Sequence, residues 1–378
     1  MFGKKYFILL FSVAYLLLLL LDWGGRLFPH HFGYSSAHFY MAEQVGEKTR
    51  YYRQNAVYDQ RIHGYLSSLL GIRHYKHYHQ QRMTTNHEGL RKSHGVPEHG
   101  VWPISVTGDS SVFGSYNSDE QTLSARLHQK LKLPVRNLAF PGHPITPMTN
   151  LLQREEKISP LIIWGMTERS ITKEVFDSDQ QKREKPAPDT HGFERFKEWF
   201  DVHAKDSFVR YLANLIWMNF KYYVLNEIPD SLWTPLHPQM LFYREGIGRM
   251  GRVAEPEELK IIGDGAEALV HEASSRGATV VILLIPDKCT IYPEYVSDPA
   301  RWENLRENRF LDHLETSLRD RHLHVINLWP VFRARKSEGW LLYYPDDTHW
   351  NQRGIGVATD AVMAYLRKQN LIPQSSYF

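Results

Sequence analysis

The chain has 378 residues, room for one large domain or one domain with an appendage. Its 42% apolar and 23% charged content suits a globular protein with a sizeable core, and a formal net charge of +3 gives no electrostatic reason to expect a nucleic-acid partner. Cys289 is the sole cysteine, which excludes an internal disulfide and a thiolate metal site; its position after an apolar run reads as a buried, inert thiol.

Lys4 and Lys5 precede an apolar stretch from Tyr6 to Leu21, broken only by Ser12 and closed by Asp22 and Arg26. That pattern predicts a transmembrane signal-anchor over residues 1–25, with the amino terminus on the cytoplasmic side and the remainder exported. A cleaved signal peptide fits the length, but Asp22-Trp23-Gly24-Gly25-Arg26 offers no small-x-small cleavage site. Residues 26–100, rich in His, Tyr, Arg and Gln, read as a stalk of short helices and loops. His74, His77 and His79 cluster there, but their spacing matches no specific metal site, and no metal is expected.

From residue 101 to 372 short apolar runs alternate with amphipathic segments. The runs are Pro103–Thr107, Val135–Ala139, Leu161–Trp164, Thr279–Ile285 and Leu323–Leu328; the helical candidates are Gln121–Leu131, Pro147–Glu156, Glu257–Arg276, Arg301–Asp320 and Gln352–Lys368. The pattern predicts an α/β fold, a three-layer α/β/α domain on a five-stranded parallel sheet. The interval between the third and fourth runs is too long for a crossover, so a helical insertion is expected at about 175–255, its aromatics including Trp199, Phe200, Phe208, Tyr211, Trp217, Phe220, Tyr222 and Tyr223. A cap packed over the active-site edge of the sheet is the expected arrangement; a membrane-surface or partner-facing role for these aromatics is the alternative.

Gly108-Asp109-Ser110-Ser111 stands at the end of the first strand, where open α/β sheets place ligand groups, so Ser110 is a candidate nucleophile. Asp and Ser are also ordinary turn and N-cap residues, which is the bland reading of the triplet. Pro345-Asp346-Asp347-Thr348-His349-Trp350-Asn351, just before the last helix, supplies an imidazole with carboxylates close by, as a serine nucleophile requires. Asp346 and Asp347 both remain candidates for the acid, Asp-x-His favouring Asp347. Glu168 and Arg169 at the third strand end are candidates for an ion pair that shapes the site or bridges the structure, and Asp109 for a site-shaping role.

Gly108-Asp109-Ser110, Asn137-Leu138-Ala139-Phe140-Pro141-Gly142, Asp347-Thr348-His349-Trp350-Asn351 and the earlier Asn86-His87-Glu88-Gly89-Leu90-Arg91 together resemble the SGNH/GDSL hydrolase superfamily, particularly its membrane-anchored bacterial members. The resemblance implies a flavodoxin-like sheet, Ser110 as nucleophile, His349 as base, and the N–H groups of Ser110 and Gly142 as oxyanion-hole donors, with no cofactor. The family's Gly-x-Asn-Asp is replaced by Gly165-Met166-Thr167-Glu168, leaving Thr167 at the position of the third donor. Ile162–Arg169, Pro286-Asp287-Lys288 and the Asp-Thr-His-Trp signature are similar to the alginate O-acetyltransferase-like branch, in which the Asp/His pair commonly precedes the Ser rather than following it. That likeness implies an acyl donor, a polysaccharide acceptor, a membrane-bound O-acyltransferase partner, and a single-pass bacterial inner-membrane protein with its catalytic domain in the periplasm or outside the cell. Esterase or deacetylase activity, and a non-catalytic scaffold in an acyltransferase complex, are the competing readings.

Overall fold

In the computed structural model, which describes residues 4–27, 41–42, 51–52, 54–70, 76–97, 102–155, 157–177, 208–225, 232–233, 240–296, 309–336, 339 and 341–373, the chain opens with helix α1 (Lys4–Leu27). The apolar side chains of Leu9 to Leu21 stand exposed, from Leu19 at 41% to Phe11 at 65%. Among the described residues no helix is long and apolar enough to cross a membrane, so the expected spanning segment is present as an exposed apolar helix and no more.

The described part of the expected stalk is not a free spacer. Strands β1 (Val57–Ile62) and β2 (His79–Thr84) form an antiparallel hairpin with α2 (Tyr65–Leu70) between them. Main-chain N–H groups of β2 reach the body of the protein: Arg82 donates to Ser118 Oγ (3.0 Å) and Thr84 to Asp119 Oδ2 (2.8 Å). Polar residues that read as stalk thus make partly buried contacts with the loop after the nucleophile.

The five apolar runs become β3 (Ile104–Gly108), β4 (Val135–Asn137), β5 (Leu161–Thr167), β6 (Thr279–Ile285) and β7 (His324–Asn327). They pair in parallel in the order β7–β6–β5–β3–β4. Alternate residues serve opposite faces. Ile163, Val281 and Leu283 join one core with Leu127 of α4 (Leu123–Leu131) and Val362 of α12 (Gln352–Lys368). Ile162, Trp164 and Ile282 join the other, with Met148 of α5 (Ile145–Arg154), Leu269 of α8 (Pro256–Ser275) and Leu314 of α10 (Phe310–Asp320). This is the expected three-layer α/β/α domain. Helix α5 starts two residues before Pro147 because proline in a first helical turn forfeits no intrahelical hydrogen bond.

Register gathers the chemistry. Gly108 lies opposite Gly165, and Thr167 opposite Ile285, so the residues after β3, β5 and β6 emerge together at the carboxyl edge. Of the insertion, residues 178–207, including Trp199 and Phe200, fall outside the described residues. Helix α6 (Phe208–Tyr223) packs against α1 and α2: Val209 N–H donates to Asp22 Oδ1 of α1 (3.2 Å), and the ring of Phe208 occupies the space beside Gly25. Ile216, Trp217, Phe220 and Tyr223 of α6 are exposed. The remaining short helices are α3 (Ser110–Phe113), α7 (Arg244–Arg249), α9 (Lys288–Ile291) and α11 (Trp329–Lys336).

Candidate active site

Ser110 begins α3 directly after β3. Gly108 has φ +139°, and a Cβ there would meet the carbonyl oxygen of Gly165 at 2.1 Å, so only glycine lets β3 turn this close to β5. Asp109, buried, fastens the turn from both sides. Its Oδ1 accepts the N–H of Ser111 (2.9 Å) as the helix N-cap, and its Oδ2 accepts the N–H of Thr167 (2.8 Å). The Thr167 hydroxyl, at the position of the third oxyanion donor, lies 2.9 Å from Ser111 Oγ with the residue 2% exposed, so it helps to hold the nucleophile turn. Gly142 is exposed with φ +137°, in the turn after β4. The N–H of Phe140 donates to Gly108 O (3.0 Å), which carries that turn to the edge where Ser110 stands.

His349 Nε2 lies 2.7 Å from Ser110 Oγ, and His349 Nδ1 is in close hydrogen-bond contact with Asp347 Oδ1. The main-chain N–H of His349 also donates to Asp347 Oδ1 (2.8 Å). Residues 239 positions apart thus form a Ser–His–Asp array. Burial pushes the Asp347 carboxyl up, but the His349 ring together with N–H donors from His349 and Tyr65 takes it below its ordinary value. The loop is tied to the nucleophile helix by Trp350, whose indole Nε1–H donates to Ser111 O (2.9 Å). Asn351 caps α12, accepting the N–H groups of Arg353 and Gly354.

Asp346, the alternative acid, does not face His349. Its Oδ2 accepts the N–H of Gly64 (2.8 Å), the Ser67 hydroxyl (2.8 Å) and the N–H of His77 (2.9 Å). Arg169 does not pair with Glu168 either: its Nη1 meets Asp287 Oδ1 at 2.5 Å, while Glu168 Oε2 accepts the N–H of Asp287 (2.9 Å). Burial, with Asp287 beside it, pushes the Glu168 carboxyl above its ordinary value. His74 lies outside the described residues, and His79 is spent on structure, its Nε2 2.8 Å from Tyr116 O and its ring stacked on Tyr344 at 4.5 Å. Among the described residues no His, Cys, Asp and Glu group is arranged to hold a metal ion.

Two residues gain site roles that sequence reasoning does not assign. Arg91 is buried and paired with Asp119 (3.1 Å), and it donates to Phe113 O (3.1 Å) and Gly114 O (2.6 Å), closing the end of α3. The Asn86–Arg91 motif is the signal for it. Lys288, 3% exposed, donates to the main-chain carbonyls of Leu241 (2.7 Å), Tyr344 (2.8 Å), Pro345 (2.7 Å) and Asp347 (3.0 Å), so one ammonium pins the loop that carries the acid. Burial lowers its pKa to about 7. Lys288→Met, which removes the ammonium these carbonyls share and leaves Pro345 O and Tyr344 O only the N–H groups of Leu241 and Asp347, is expected to cost about 3 kcal/mol, read as a lower urea midpoint at unchanged slope.

The chain is thus an α/β/α protein on a five-stranded parallel sheet, with Gly-Asp-Ser closing one strand and Asp-x-His delivered before the last helix to form a Ser–His–Asp array at the carboxyl edge. Residues 238–377 match the family model described as an SGNH hydrolase-like domain of acetyltransferase AlgX; the match spans Asp287, Lys288, Asp347 and His349 but not Ser110. No curated protein sequence matches the chain. Solved structures similar to it include a G-D-S-L family lipolytic protein from Desulfitobacterium hafniense (12% identity, TM-score 0.34, covering 70% of this chain and 99% of that one). Another is the esterase EstA from Pseudoalteromonas sp. (12%, 0.33, 70% and 97%), and a third the salicylyl-acyltransferase SsfX3 of a tetracycline biosynthetic pathway (11%, 0.31, 73% and 58%). These three are too distant to bear on function.

Proposed function

We propose that the protein transfers an acyl group through an acyl-Ser110 intermediate, and that the transfer is O-acetylation of an extracytoplasmic polysaccharide. The observation that carries the reaction class is the contact of His349 Nε2 with Ser110 Oγ at 2.7 Å, backed by Asp347. His349 takes the Ser110 proton as Oγ attacks the donor ester carbonyl. N–H groups of Ser110 and Gly142 stabilise the tetrahedral oxyanion, and its collapse expels the alcohol, which receives the proton from His349. An acceptor hydroxyl then gives its proton to His349, attacks the acyl-serine and leaves as the new ester, freeing Ser110.

Transfer of acetyl is supported by the acetyltransferase description of the family matched over residues 238–377, and the sugar acceptor by the likeness of Ile162–Arg169 and Asp-Thr-His-Trp to the alginate O-acetyltransferase-like branch. Attachment to the inner membrane, with the catalytic domain outside the cytoplasm, is supported by the lysines before the apolar run and by the exposed apolar surface of α1. A membrane-bound O-acyltransferase partner supplying the acyl donor belongs to the same reading. A non-catalytic scaffold is favoured by one observation, the engagement of Thr167 with Ser111 in place of a third oxyanion donor.

Purified full-length protein in detergent is expected to release p-nitrophenol from p-nitrophenyl acetate, and to place acetyl on an added oligosaccharide. Release without transfer to any acceptor makes it an esterase. Absence of both, with no labelling of Ser110 by a fluorophosphonate, removes the acyl-serine reading in favour of the scaffold.

A further inference from the structure

We propose that the Gly64–Tyr65 turn, which lies ahead of the sheet, is a positioning element of the catalytic acid. The proposal rests on the triad reading of Asp347 and deepens it. A buried carboxylate that orients an imidazole needs both oxygens fixed, because an oxygen without donors leaves the side chain free to rotate away from the ring. Asp347 is 0% exposed, and its Oδ1 is occupied by His349. Its Oδ2 accepts the main-chain N–H of Tyr65 at 2.6 Å, a donor 282 residues away in sequence.

The turn is fitted to this task in two ways. Gly64 touches the acid loop so closely that a Cβ there would meet Asp346 O at 2.1 Å and Asp346 Cγ at 2.8 Å, so no other residue permits the approach. Asp346 then clamps the same turn through Gly64 N–H, the Ser67 hydroxyl and His77 N–H, while Ser67 N–H donates to Asp346 O (3.3 Å). The adjacent carboxylates divide the work: Asp346 holds the turn, and the turn holds Asp347.

Tyr65 is the first residue of α2, a position where proline is tolerated in helices, so Tyr65→Pro removes the donor and puts a ring methylene in its place. Tyr65→Phe and Tyr65→Ala keep the N–H. In full-length protein, Tyr65→Pro is expected to lower kcat for p-nitrophenyl acetate about ten- to a hundredfold with KM unchanged. The acid limb of its pH profile moves to higher pH, since the Asp347 carboxyl loses a donor that favours its charged form. The other groups facing Asp347 are His349, Arg169, Lys288 and the rings of Tyr65, Tyr116 and Tyr344; all but the Tyr65 ring remain in every variant. Tyr65→Phe and Tyr65→Ala are expected to keep the native profile.

A second measurement stands apart from turnover. Urea unfolding of Tyr65→Pro, Asp347→Ala and the double variant is expected to be non-additive, because each single change removes one partner of the same hydrogen bond. Additive stabilities, or a Tyr65→Pro profile that coincides with that of Tyr65→Ala, overturn the proposal. Native protein with neither esterase nor transfer activity and no fluorophosphonate labelling, but with non-additive unfolding, overturns the acyl-serine reading and leaves the positioning contact in place.

Discussion

Replacing Ser110 by alanine is expected to lower p-nitrophenyl acetate turnover by about 10⁴-fold or more, and Ser110→Ala combined with His349→Ala by scarcely more than either alone. Nucleophile and base act as one unit: at 2.7 Å, His349 Nε2 is the immediate acceptor of the Ser110 proton, and neither group offers a path without the other. Folding should be untouched, because the contacts that shape the turn belong to Asp109, Ser111 and Thr167 rather than to the Ser110 hydroxyl. Fluorophosphonate should label the native protein and leave Ser110→Ala unlabelled, which locates the nucleophile without a substrate. Multiplicative losses in the double variant, or residual labelling in Ser110→Ala, place the nucleophile elsewhere.

The sheet and both halves of this array are legible in the sequence because each leaves a local mark. A strand buried on both faces reads as an unbroken apolar run: Thr279–Ile285 coincides with its strand to the residue, and Leu161–Trp164 falls short only because Gly165, Met166 and Thr167 continue the strand with a weaker apolar signal. Gly108-Asp109-Ser110 and Asp347-Thr348-His349 announce a strand end and a helix entry, and the fold brings them together through the parallel order of the strands. What is not legible depends on contacts between distant segments. No spacing links Tyr65 to Asp347, or Lys288 to four carbonyls in two loops; those hydrogen bonds use main-chain atoms, which carry no residue signature. The same blindness makes residues 26–100 read as a stalk, since their polar side chains carry no apolar period although Tyr65 and Arg91 reach the site. Adjacent Glu168 and Arg169 suggest a pair, yet Arg169 finds Asp287 from the neighbouring strand end, a partner set by strand order rather than by sequence proximity.

The second large effect separates the two adjacent aspartates. Asp347→Asn is expected to lower kcat by about 10⁴-fold with little change in fold, as an amide facing His349 Nδ1 disfavours the tautomer that leaves Nε2 free to accept the serine proton. Asp346→Asn is expected to leave kcat within about tenfold and to cost about 1–3 kcal/mol of stability, because its carboxylate serves Gly64, Ser67 and His77 and does not meet His349. The pH dependence of stability supplies an independent check. Asp347 has its pKa lowered from 3.8, so the stability it contributes is present above that value and is lost as pH falls through the lowered one. In Asp347→Asn this acid-side loss should shrink. If Asp346→Asn carried the large kinetic effect and Asp347→Asn the small one, the loop would have to turn its two carboxylates about in solution. That would break the four hydrogen bonds by which Gly64, Tyr65, Ser67 and His77 now tell them apart.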